Sequence, residues 1–137
     1  KLPGVIDTRA GYMGGQMERP DYRSVCGGQT GHAETVEVTF DPDHVTYPDL
    51  LSCFFEWHDP TQVNRQGPDI GTQYRSAIYP VESGQAEEAR HKIETLNASG
   101  HYSRPIATQI ETADTFWEAE DYHQHYLEKR GLGHCGL

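Results

Sequence analysis

Long apolar runs are missing from this chain, and a bilayer-spanning helix needs about 20 consecutive apolar residues, so no membrane segment is expected. Basic charge is also scarce: 11 Lys and Arg against 21 Asp and Glu leave a formal net charge of -10, which repels a phosphate backbone. Nucleic acid is therefore not an expected partner. Cysteine is limited to Cys26, Cys53 and Cys135, an odd set with no C-x-x-C spacing, which argues against both a disulfide framework and a zinc site. Reduced thiols in a cytoplasm-like compartment are the expectation. The opening "KLPGVIDTRAGY" has no initiator methionine and no charged-then-apolar leader pattern, so it reads as the interior of a longer polypeptide. Repeats and low-complexity linkers are absent too, and the 137 residues are expected to form a single domain.

What is present alternates between the two regular periods. In "TVEVTF", residues 35–40, Val36, Val38 and Phe40 share one face and Thr35, Glu37 and Thr39 the other, as in a half-buried strand. "DPDH" at 41–44 turns the chain into a helix over 46–57, with Thr46 as N-cap, Pro48 in the first turn and Asp49 completing a capping box. Tyr47, Leu50, Leu51, Phe54 and Phe55 fall on one stripe of that helix. Further strands are expected at 4–12, before the Gly14-Gly15 turn, and at 74–80 and 105–111. A second helix is expected after Ser83 as cap, carrying Ala86, Ala89, Ile93 and Leu96 inward and ending between Asn97 and Gly100. This order predicts a two-layer α/β sandwich of the α+β class. The polar, glycine-punctuated stretch 58–73 and the aromatic, histidine-rich stretch 120–135 fit neither period and invite a chemical reading.

Side chains in a strand repeat every two residues, so if Val36 and Val38 face inward, Glu34 does as well. A carboxyl in that position would have its pKa raised by burial and would serve as a general acid. The alternative is that the strand starts at Thr35 and leaves Glu34 in solvent. Tyr22, Tyr74 and Tyr126 offer phenol donors able to grip a small polar oxygen, or are ordinary half-buried tyrosines. "HQH" at 123–125 places its two rings on different sides in a strand or a helix, and no metal or other cofactor is assigned. In "KRGLGHCGL" the glycines around Cys135 leave either a frayed end with an incidental cysteine or a tail, 131–137, able to carry a thiol to a partner.

The segments "GYMGG", "PDYRSVCGGQTGHAE", "HDPTQVNRQGPDIGTQYRSAIYP" and "AEDYHQHYLEKRG" resemble, in order and spacing, the A-type peptide-methionine sulfoxide reductases, from about Lys1 to Cys135. The resemblance implies a sandwich with a mixed sheet and a ferredoxin-like core, and reduction of the S epimer of methionine sulfoxide, free or in proteins. It implies attack by a thiolate on the sulfoxide sulfur, protonation of the oxygen by an acid, and resolution of the resulting sulfenic acid by a second cysteine. Carried over by position, Glu34 corresponds to the proton donor, and Tyr22 and Tyr74 to the donors to the sulfoxide oxygen. Asp69, His123 and Tyr126 correspond to pocket and support residues, and Cys135 to the resolving cysteine. Thioredoxin or a similar dithiol is the implied reductant, and a monomer is expected.

The chain departs from this pattern in one respect. The nucleophile of the family lies in a "GCFWG"-type motif expected shortly before Lys1, and no such motif occurs in the sequence. With it go an aromatic pair, a first strand and most of a first helix. Cys26 and Cys53 match no nucleophile position. Two other functions compete: a non-catalytic module that binds oxidised methionine or a thioredoxin-like partner, and a hydrolase built on Glu34, Asp69 and His123. The hydrolase finds no nucleophile elbow or metal spacing in support.

Overall fold

The computed structural model describes residues 3–28 and 30–119, with the backbone alone at Tyr22. Strand β1, Val5–Met13, pairs antiparallel with β2, Ala33–Phe40, in a register that sets Tyr12 opposite Glu34 and Ala10 opposite Val36. The short β7, Trp117–Glu118, adds to the other edge of β1, giving the order β2-β1-β7. Between β1 and β2 lies α1, Tyr22–Cys26, which the periodicity does not reveal. Its signal is local: the Asp21 carboxylate accepts from the Ser24 N–H at 2.8 Å while the Ser24 hydroxyl accepts from the Asp21 N–H at 3.0 Å.

Helix α2, Tyr47–Trp57, begins at the expected Thr46–Asp49 capping box and buries Leu50, Leu51 and Phe55. Each such side chain contributes about 1.5–3 kcal/mol on burial. Helix α3, Gln85–Ser99, is capped not by Ser83 but by Gly84 in a left-handed conformation, and ends at Gly100 in the same conformation. Leu51 and Phe55 of α2 meet Ala89 of α3 and Ile78, with Ile93, Leu96, Ile106 and Ile110 around them. Ile78 and Ile110 belong to a parallel pair, β5 (Ala77–Ile78) and β6 (Gln109–Ile110). The expected strands at 74–80 and 105–111 are thus real but only two residues long in each case. A second core gathers Ala10, Tyr12, Val25 and Ala119, with Val36 and Trp117 against it. Antiparallel and parallel pairings with helices packed on them make the mixed α/β sandwich that the sequence predicts, hydrogen-bonded among the described residues as three separate sheets. None of the described helices is long and apolar enough to cross a membrane.

The stretch 58–73 is not formless. It folds into a tight hairpin of β3 (Arg65–Gln66) and β4 (Asp69–Ile70), followed by a 3-10 turn over Thr72–Tyr74.

Candidate active site

The acidic member of the site is positioned by strand register. β2 starts at Ala33, one residue before Glu34, so Glu34 lies within the strand and shares the face of Tyr12, Ala10 and Val36. It sits half-buried at the end of that face. The start of β2 is anchored by His32, which is 2% exposed. Its Nδ1 accepts the Gly15 N–H at 3.0 Å, which makes Nε2 the protonated nitrogen that donates to the Met17 carbonyl at 2.7 Å. The imidazole therefore ties the Gly14-Gly15 turn to the strand that carries Glu34.

The phenol arrives by a different route. Gly71, at φ +147, lets the hairpin turn into the 3-10 segment, and a Cβ at that position would collide with Oε1 of Gln73. The Tyr74 N–H donates to the Gly71 carbonyl at 3.0 Å, and the 4% exposed Gln73 donates through Nε2 to the Cys26 carbonyl at 3.0 Å. This brings the Tyr74 hydroxyl into hydrogen-bonding contact with the Cys26 thiol and within the field of the Glu34 and Asp69 carboxylates. Burial first, then Glu34, Cys26 and Asp69, hold the phenol pKa far above the ordinary tyrosine value. Tyr74 keeps its proton and remains a hydrogen-bond donor.

Of the residues singled out by sequence, Glu34, Asp69 and Tyr74 are thus brought together. Tyr22 is the first residue of α1, and His123, Tyr126 and Cys135 lie outside the described residues. The sequence reading leaves Cys26 out of the site, whereas its thiol meets the Tyr74 hydroxyl. The Asp21–Ser24 capping signature is the signal that could have found it, because it opens a helix whose last residue is Cys26. Among the described residues, no group of three or more His, Cys, Asp or Glu side chains is arranged to hold a metal ion. A cleft of about 760 Å³ opens beside Arg23, Ser24 and Gly27 of the α1 region, against Gly14 to Met17, but neither Glu34, Asp69 nor Tyr74 lines it.

A phenol that keeps its proton, within the field of two carboxyl groups, is a combination able to protonate and grip an oxygen that is leaving another atom. The family model described as peptide methionine sulfoxide reductase matches residues 1–137. This chain belongs to the peptide methionine sulfoxide reductase family. It is 59% identical over 135 residues to the peptide methionine sulfoxide reductase MsrA of Geobacter sulfurreducens, covering 98% of this chain and 83% of that one. The MsrA of Deinococcus radiodurans is 56% identical over 135 residues, with 98% of this chain and 66% of that relative covered. Among solved structures, the reduced form of Mxr1 from Saccharomyces cerevisiae superposes with a TM-score of 0.84 at 37% identity, over 92% of this chain and 72% of that one. Methionine sulfoxide reductase A of Corynebacterium diphtheriae gives a TM-score of 0.77 at 43% identity, over 93% and 65%. Such likeness at these identities carries the reductase family's fold onto the sandwich described above.

Proposed function

We propose that this chain supplies the acid and the oxygen-binding groups for thiol-dependent reduction of the S epimer of methionine sulfoxide to methionine. The observation that supports it is a Tyr74 hydroxyl that keeps its proton and lies within the field of Glu34 and Asp69. A cysteine thiolate attacks the sulfoxide sulfur. The oxygen, protonated by Glu34 and held by Tyr74 and Tyr22, is transferred to the cysteine, leaving methionine and a cysteine sulfenic acid. The attacking thiol is assigned to a cysteine that precedes Lys1 in the complete polypeptide. Cys135 then displaces water from the sulfenic acid to form a disulfide, and two thiols of thioredoxin or a similar dithiol return both cysteines to the reduced state.

The test uses the complete gene product with dithiothreitol as reductant and each sulfoxide epimer of a methionine-containing peptide as substrate. Methionine from the S epimer, and none from the R epimer, is the expected result. Tight binding of the S epimer without turnover would overturn the reading in favour of a recognition module. A complete polypeptide with no cysteine ahead of Lys1 would overturn the assignment of the nucleophile.

A further inference from the structure

Arg75 follows Tyr74 directly and points away from water: its side chain is 9% exposed, and that of its partner Glu111 23%. The guanidinium is bonded on three sides. Nε and Nη2 grip the two oxygens of Glu111 at 2.8 and 3.1 Å, while Nη1 donates to the Thr72 carbonyl at 2.8 Å. Nη2 also donates to the Tyr79 hydroxyl at 3.2 Å. That hydroxyl stands 3.3 Å from both the Met13 carbonyl and Glu111 Oε1, with one proton to share between them. Gly14, at φ +90, admits the cluster, since a Cβ there would stand 2.8 Å from Arg75 Nη2.

A shielded ion pair is weak evidence for stability, because desolvation offsets much of the attraction, but a bidentate fork is strongly directional. What this fork connects is specific. On one side is the Thr72 carbonyl, inside the turn that carries Tyr74. On the other is Met13, next to Tyr12, which the β1–β2 register sets opposite Glu34. One path from phenol to acid therefore runs through Arg75 and Tyr79, beside the separate strut from Gln73 to Cys26.

Resting on the reading of Tyr74 as a donor to the sulfoxide oxygen, we propose that Arg75, clamped by Glu111, is a positioning residue that holds the Tyr74 hydroxyl against Glu34. Neither Arg75 nor Glu111 acts on the substrate. A displacement of the order of 1 Å at a reacting group costs up to about 10²-fold in rate, so loss of the clamp lowers kcat on that scale while KM changes little.

The experiment is a double-mutant cycle in the complete enzyme, with single-turnover methionine formation as readout and Arg75→Met, Tyr74→Phe and their combination as variants. Arg75→Met alone is expected to lower the rate by about 10–100-fold, and to change it less than about twofold once Tyr74→Phe is present. If the two effects multiply, or if Arg75→Met matches the wild type, the positioning role is overturned. Should Arg75→Met fail to fold, Glu111→Gln takes its place in the same cycle, because it keeps the shape of the clamp and removes the charge. A Tyr74→Phe variant as fast as the wild type overturns the inference as well, while an inactive wild type fails the functional reading itself.

Discussion

Two regions deliver the two kinds of group at this site, and they do so by unlike physics. Glu34 is placed by eight consecutive residues of β2 in register with β1, so the whole ladder determines where its carboxylate points. Tyr74 is placed by a hairpin with two residues in each strand and by a 3-10 turn, where few backbone pairs exist and side chains act as struts. Gln73 reaches Cys26, Gln66 donates to the Asp59 carbonyl at 2.8 Å, and Arg75 reaches Glu111. A ladder spreads the constraint over many weak terms, whereas a strutted loop concentrates it in a few. Chemistry should therefore be lost by changing the group on the ladder, and geometry by changing a strut in the loop.

The largest expected effect is on chemistry. Glu34→Gln in the complete enzyme should preserve the fold, since the amide is isosteric and the β1–β2 register does not depend on the charge. It should slow methionine formation by about 10²–10⁴-fold, the usual contribution of a positioned acid. Single-turnover rates close to the wild type would show that Glu34 donates no proton.

Next comes a change of geometry without any change of functional group. Gly71→Ala imposes a side chain at φ +147 and drives its Cβ into the buried Gln73 amide, which cannot swing away without leaving the Cys26 carbonyl. Strained backbone of this kind costs about 1–3 kcal/mol by itself. Urea unfolding should show that loss, together with reduced activity, and a variant equal to the wild type in both would mean that the turn tolerates other paths. The matching substitution on the ladder side, Thr39→Ala at an exposed position of β2, should do neither.

The same contrast explains what could be read in the sequence. The period-two alternation of Val36, Val38 and Phe40 fixed the phase of Glu34, and the Thr46–Asp49 box fixed the start of α2, because both are local patterns with one structural meaning. The hairpin at 65–70, the two-residue strands β5, β6 and β7, and the contact of Cys26 with Tyr74 leave no period. The segment that carries Tyr74 and β5 is held by partners 32 to 47 residues away, such as Ser76 on Thr108, Arg75 on Glu111 and Gln73 on Cys26. β7 pairs with Gly11 and Tyr12 of β1, while the hairpin is closed by polar side chains close by, Gln66 on Asp59 and Gln62 on Gly67. Tyr74 stood out only as one of three candidate phenols and Asp69 by resemblance alone, and nothing in their own neighbourhood announced that they lie near one another. Ser83 misled as a cap because Gly84 could start α3 from a left-handed conformation instead.

A third prediction concerns the joint between the two regions. His58 closes α2, donates from Nδ1 to the Phe54 carbonyl at 2.7 Å and accepts at Nε2 from the Ser76 hydroxyl at 2.7 Å, which in turn accepts from Thr108. Burial depresses its pKa below the ordinary histidine value, against weaker opposing effects of Phe54 and Asp59. The unfolded chain then binds more protons at this site than the folded one, so stability rises with pH. Full stability should hold above about pH 6.5 and decline as pH falls through that value, levelling off once the folded pKa is passed. Thermal midpoints between pH 8 and pH 5 should show the decline in the wild type and a shallower one in His58→Gln. Identical slopes would place the proton uptake elsewhere.

The smallest effect belongs to the most conspicuous ion pairs of the ladder. Arg9 on β1 reaches Glu37 at 2.6 Å across the β1–β2 pair and Glu118 of β7 at 3.2 Å, and lies over the Phe116 ring. These contacts are short, yet the Arg9 side chain is 41% exposed and its acidic partners 40% and 55%, so water and salt screen most of the attraction. The register they span is already held by Ala10 and Tyr12 on the opposite face, both nearly inaccessible to solvent. Arg9→Gln should therefore cost less than about 1 kcal/mol and leave the rate of sulfoxide reduction unchanged. A larger loss, restored by raising neither salt nor protein concentration, would mean that the ladder too depends on individual struts, and the distinction drawn between its constraint and that of the Tyr74 loop would collapse.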